Sequence, residues 1–290
     1  MILDQLIFGT ALIGSGIAAA YDLKTTEVPN WVFYAILITG VPLVALNAYL
    51  NSSFDMFALS GVTGLGLFIL GYAMYRAGQW GGADMVLLAL IGFLMPSTNL
   101  GFAVHLKFPF GLSFLINLFL VGGVYMMVYS FVFALQNRRI IYQFKEEIKD
   151  SARLIFLLCA SSFLTFTGLA WYLGGLFGVS MSLVYGVLWV SVPTALIFVL
   201  YIVYIFARTV EKVGFRKKIP VSQLKVGDML MEERKLVGVE ERQIKMIRKS
   251  GRKYIWIKEG VRFAPAFPLA LLFTLFVGDA IFLLPTLLWV

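Results

Sequence analysis

Gly81-Gly82-Ala83-Asp84-Met85-Val86-Leu87-Leu88 begins a long apolar run with two glycines and a carboxylate. Asp22 holds the opposite position, just past the apolar run 2–21. Each aspartate therefore stands where an apolar segment meets a short polar turn. An ionisable side chain at the centre of a membrane helix costs about 2.5 to 3.5 kcal/mol, and less toward the interface, so two such placements call for a functional reason. That cost arises only where the flanking runs are membrane spans, and composition supports this. Of 290 residues, 60% are hydrophobic and 14% charged, and the mean hydropathy is +0.87. That is too apolar for a water-soluble domain.

Apolar runs fall near 2–21, 31–50, 55–77, 83–104, 111–136, 154–177, 181–207 and 264–289. Most reach the roughly 20 residues that cross a hydrocarbon core, which predicts an all-α polytopic protein of eight transmembrane helices. The first run has no basic n-region and no clean cleavage site, so it reads as a retained helix. Pro96 interrupts the fourth, and residues 97–110 read as a re-entrant or outer loop. Lys24, Arg76, the 138–153 loop and the cations from Arg208 to Arg262 fall on alternate loops, with Lys107 alone on the other side. The positive-inside rule then puts both termini outside and Asp22 and Asp84 at cytoplasmic helix ends of a plasma-membrane protein.

Four parts follow: a membrane core over 1–136 holding both aspartates, a cytoplasmic loop and two further helices over 137–207, a basic cytoplasmic domain over 208–262, and a last helix over 263–290. Residues 209–262 hold fifteen Lys and Arg against seven Asp and Glu, a surplus equal to the whole net charge of +8. The alternation in Lys253–Lys258 and the turn Leu224–Asp228 predict a small α/β or mostly β module. No recognition motif accompanies the charge, so its partner is read as anionic lipid headgroups of the bilayer and not nucleic acid. Residues 140–150 read as an amphipathic interfacial helix.

Inventory removes several chemistries. One histidine, His105, and one cysteine, Cys159, cannot make a zinc site, a serine triad or a disulfide. No metal ligands and no cofactor are expected. Gly14-Ser15-Gly16 reads as helix packing. Carboxylates remain. Two that share one proton can polarise a carbonyl and activate a water, and Gly81 and Gly82 let backbone approach Asp84 closely. Position alone fits equally a structural or ion-coupling pair, as in a secondary transporter or a non-catalytic membrane scaffold.

Residues Tyr21–Trp31, with Asp22, a basic residue and Val28-Pro29, followed two helices later by Gly81-Gly82-Ala83-Asp84, resemble the GxGD-type membrane aspartyl proteases of the prepilin peptidase family. The likeness is strongest to archaeal preflagellin (archaellin) and prepilin peptidases. Ala83 stands where the motif has its second glycine, and Met85-Val86 replaces a lysine-containing sequence. The runs between Arg153 and Arg208 look like an insertion in a six-helix core. The resemblance implies an aspartic-type endopeptidase with Asp22 and Asp84 catalytic, cleaving the basic N-terminal leader of archaellin or type IV pilin-like precursors at the cytoplasmic face. No N-methyltransferase activity is expected, since the cysteine-rich loop of bacterial members is absent. Glu27 is a candidate contact for the leader's cations, or an ion-pair partner of Lys24. Pro265 and Ala266, in Pro265-Ala266-Phe267-Pro268, are expected to border the site on frayed backbone. Asp279, sixteen residues into the last predicted helix, is expected about 24 Å deeper than Phe263 in a structural role.

Overall fold

The computed structural model describes residues 2–96, 100, 104–178, 183–230, 238–239, 241–258 and 260–282. Nine α-helices and three strands occur among them: α1 (Ile2–Thr25), α2 (Asn30–Leu50), α3 (Phe54–Arg76), α4 (Gly82–Leu94), α5 (Phe110–Gln136), α6 (Arg138–Phe177), α7 (Leu183–Thr209), β1 (Arg216–Pro220), β2 (Met229–Leu230), α8 (Glu241–Lys249), β3 (Tyr254–Lys258) and α9 (Ala266–Phe276). Helices α1, α2, α3, α5, α6 and α7 are long and apolar enough to cross a membrane. The other two of the eight predicted runs form shorter helices, α4 with 13 residues and α9 with 11. At 1.5 Å per residue these extend about 20 and 16 Å, well short of a core of roughly 30 Å. Residues 97–99 and 101–103 of the predicted re-entrant or outer loop, and 283–289 of the last run, lie outside the described residues.

The chain divides into two compact units, residues 1–128 with 217–290, and residues 129–216. In the first, Leu87, Leu88 and Ile91 of α4, Phe114 and Leu118 of α5, and Phe267, Ala270 and Leu271 of α9 form a fully buried core with Ala11 and Ala18 of α1. Helices α3 and α4 run antiparallel and very close. A Cβ at Gly64 would lie 2.8 Å from the Phe93 Cβ and 3.2 Å from the Ala89 carbonyl, and one at Gly71 would lie 3.1 Å from the Met85 Cα. Glycine removes those atoms and lets the backbones approach. Gly14 does the same for α1 against Ile36 of α2, while Gly16, Gly61 and Gly66 face open space.

The shortness of α4 and α9 has a physical compensation. A helix that stops within an apolar layer leaves backbone groups that must be paired inside the protein. Val104 N–H donates to the Leu275 carbonyl at 2.9 Å, and Lys107 N–H donates to Asp279 Oδ2 at 2.6 Å. The Asn117 side chain, fully buried on α5, donates to the Gly278 carbonyl at 2.8 Å and accepts from Ala280 N–H at 3.1 Å. Gly278 itself, at φ +91°, supplies the left-handed turn that stops the helix. Asp279 is therefore outside α9, not sixteen residues along a continuous helix, because glycine and Asn117 end the helix first.

Strands β1, β2 and β3 form a three-stranded sheet in the order β1-β3-β2, with β2 antiparallel to β3. One face buries Ile219, Leu230, Ile255 and Ile257 against Val221, Leu224, Val239 and Ile244 of α8. The segment expected as a small α/β or mostly β module thus holds three strands and the helix α8 with a small core of their own. In the second unit, α6 and α7 pack together, and Ala134, Ile140, Val210 and Phe215 form a separate cluster. The segment expected as a distinct interfacial helix, 140–150, is the first part of the 40-residue α6. Nothing breaks that helix, since its first glycine is Gly168.

Candidate active site

Asp22 lies in the last turn of α1. The helix ends three residues later, where Thr26 takes a positive φ of 59° and Thr25 Oγ1 donates to the Tyr21 and Glu27 carbonyls. Pro29 then caps α2 in extended conformation. Asp22 is buried, with 7% of its surface exposed. Its Oδ2 accepts the Ala264 N–H at 2.9 Å, and the Arg262 charge acts on it as well.

Asp84 is the third residue of α4, and it is equally buried. Its Oδ2 accepts the Gly81 N–H at 3.0 Å, so the carboxylate caps its own helix from within. A Cβ at Gly81 would lie 3.3 Å from that oxygen, whereas Gly82 faces open space. Each aspartate thus has one oxygen held by a backbone donor. The two carboxylates are near enough for the Asp22 charge to act on Asp84. Sixty-two residues of chain separate them, and the fold closes that separation.

The closure rests on an aromatic cluster. Trp80, next to the donor Gly81, is buried and packs on Phe263, next to the donor Ala264, with ring centroids 6.0 Å apart. Phe119 of α5 and Phe267 of α9 complete it at 5.7 and 6.4 Å from the Trp80 ring. Tyr125 Oη donates to the Arg262 carbonyl at 2.9 Å. Gly122 of α5 lies beneath the same turn, where a Cβ would sit 2.8 Å from the Phe263 ring. The peptides that hold Asp22 and Asp84 are therefore carried by one packed unit.

Other site residues fall out as follows. Ala83 is partly buried against the core. Pro265 and Ala266 lie in the turn whose Ala264 N–H holds Asp22, and both are buried. Their backbone is not frayed: Ala266 N–H donates to the Phe263 carbonyl and Phe267 N–H to the Ala264 carbonyl, because the prolines fall where the first turn of a helix needs no donor. Glu27 is exposed and pairs at 3.0 Å with Lys225 Nζ, not with Lys24. Sequence reading missed Ala264, Trp80, Phe263, Tyr125 and Gly122. Among the described residues no group of three or more His, Cys, Asp or Glu side chains could hold a metal.

Six long apolar helices and a pair of buried, backbone-held carboxylates at helix ends define a multi-pass membrane protein carrying a candidate carboxylate site. Residues 9–136, which contain both aspartates, match the type IV leader peptidase family. The chain is 25% identical over 178 residues to prepilin peptidase EppA of Methanothermobacter thermautotrophicus, a match covering 58% of this chain and 46% of that protein. It is 31% identical over 94 residues to the preflagellin peptidase of Methanococcus voltae, covering 32% of this chain and 40% of that one. The matches thus span about half the length of these relatives or less. No solved structure matches. The resemblance carried by Tyr21–Trp31 and Gly81–Asp84 is borne out over this region.

Proposed function

We propose that the protein is a membrane aspartyl endopeptidase that cleaves the basic N-terminal leader of archaellin or type IV pilin-like precursors. The observation that carries this reading is the pair Asp22 and Asp84, each buried and held through one oxygen by a backbone N–H. With one proton between them, the ionised carboxylate takes a proton from a water as that water attacks the scissile carbonyl. The protonated one gives its proton to the carbonyl oxygen, and the tetrahedral intermediate collapses with proton transfer to the leaving amine. The names of the relatives supply the precursor class and disfavour the transporter and scaffold readings.

In this reading the active site faces the cytoplasm of the plasma membrane, the N-terminus is outside, and all eight apolar runs cross the layer, two of them through the short helices α4 and α9. The bilayer and the precursor are the partners, and no cofactor takes part. Gly81, Gly82, Ala83, Pro265 and Ala266 shape the site. Glu27 is the acidic contact for the leader's cations, and its exposed pair with Lys225 is weak enough to be exchanged for a substrate cation, since such pairs contribute about 0 to 1 kcal/mol.

The test is cleavage of a panel of pilin and archaellin precursors by purified protein in detergent. Asp22→Asn and Asp84→Asn each lose activity by about 10²-fold or more, the scale of general acid–base catalysis. Asp228→Asn, which keeps an acceptor for the Lys225 N–H in its turn, retains it. Turnover by a folded Asp22→Asn or Asp84→Asn protein overturns the assignment.

A further inference from the structure

The sheet module has two unlike faces. One is the core described above. The other carries Tyr254 and Trp256, which alternate along β3 with the buried Ile255 and Ile257 and are 57% and 46% exposed. Lys218 of β1 is on this face, its ammonium 5.1 Å from the centroid of the Tyr254 ring. A sheet face turned to water normally carries polar side chains in these places. Two exposed aromatic rings with a polar edge, beside a lysine, are instead the side-chain set of a membrane–water interface.

Charge and tethering point to the same partner. The segment 209–262 carries a surplus of eight positive charges, and the chain leaves the apolar helix α7 at Thr209 and enters the apolar α9 at Ala266. A module held at both ends by apolar helices meets a bilayer surface at high effective concentration, whereas a soluble polyanion has to be recruited from solution. We propose that the face formed by Lys218, Tyr254 and Trp256 docks on anionic lipid headgroups. This inference does not depend on the peptidase reading.

The experiment uses the full chain in nanodiscs of phosphatidylcholine, with or without phosphatidylglycerol. The Trp256 signal is the difference in fluorescence between the protein and its Trp256→Phe variant, which removes one of six tryptophans. Brominated phosphatidylglycerol quenches that signal, and high salt relieves the quenching because the attraction is screened. Lys218→Gln lowers the ratio of docked to undocked module about five-fold, the effect of one cation lost from an anionic surface. Equal quenching by brominated phosphatidylcholine alone, or a Trp256 signal as open to aqueous acrylamide with phosphatidylglycerol as without it, overturns the proposal. So does protection of Trp256 by a single-stranded oligonucleotide in phosphatidylcholine discs, which would assign the face to nucleic acid. The salt response of the unmodified protein keeps the test decisive should Lys218→Gln fail to fold.

Discussion

Asp84 depends on a donor three residues before it, and that donor is an N–H, not a side chain. Gly81 has φ −77°, a value proline adopts, so Gly81→Pro removes the hydrogen bond to Asp84 Oδ2 while keeping the local backbone angle. A hydrogen bond to a charged group contributes about 1.5 to 3 kcal/mol. Precursor cleavage by Gly81→Pro is expected to fall roughly 10- to 100-fold, with Gly81→Ala closer to the parent because its N–H remains. Equal activity in the proline and alanine variants would show that the donor does not matter. The same residues explain what sequence reading could reach. Asp22 and Asp84 were legible because carboxylates beside apolar runs are costly and rare. Ala264 was not, because it contributes only its N–H, which nearly any residue type supplies. The Glu27–Lys225 pair was equally hidden, since no local spacing links positions so far apart.

Helix α3 shows which glycines an element needs. Gly64 and Gly71 are seven residues apart on one face and meet α4 backbone, whereas Gly61 and Gly66 meet nothing. Gly64→Leu forces the helices apart, an overpacking of about 1 to 3 kcal/mol or more, and is expected to lower the melting temperature in detergent. Gly61→Leu is expected not to. If both variants melt alike, close α3–α4 approach is not what Gly64 provides. At the far end of α9, Asn117→Leu strands the Gly278 carbonyl and Ala280 N–H. Each buried unpaired group costs about 1 to 3 kcal/mol, so this variant is expected to melt lower as well. Asp279→Asn keeps an acceptor for Lys107 N–H and is expected to fold and cleave. Element length was the part of the fold that hydrophobicity concealed. The runs 83–104 and 264–289 are predominantly apolar, and only the fold shows that α9 stops at Phe276, ahead of Gly278, whose carbonyl accepts from Asn117, 161 residues away.

At the scale of the whole molecule, the sidedness of the chain turns on the two short helices. The alternation of basic loops holds only if the chain crosses the layer between Asp84 and Lys107 and again after Ala266. Both segments start beside the carboxylates, and their continuations meet where Val104 pairs with Leu275 and Lys107 with Asp279. Two half-length helices whose continuations pair at Val104 and Lys107 can belong to two crossings, because backbone that leaves a helix at membrane depth is tolerated where protein surrounds it. The expected arrangement therefore puts Lys24 and Lys245 on the cytoplasmic side and Lys107 outside. Single cysteines at these exposed positions, in a Cys159→Ser background, check it with a membrane-impermeant maleimide on intact cells. Lys107→Cys should label directly, and Lys24→Cys and Lys245→Cys only after permeabilisation. Direct labelling at Lys24→Cys with protection at Lys107→Cys would invert the topology and place Asp22 and Asp84 at the outer face. A precursor leader retained in the cytoplasm could not reach them there, so that single result would remove the proposed substrate even if the carboxylate pair were competent.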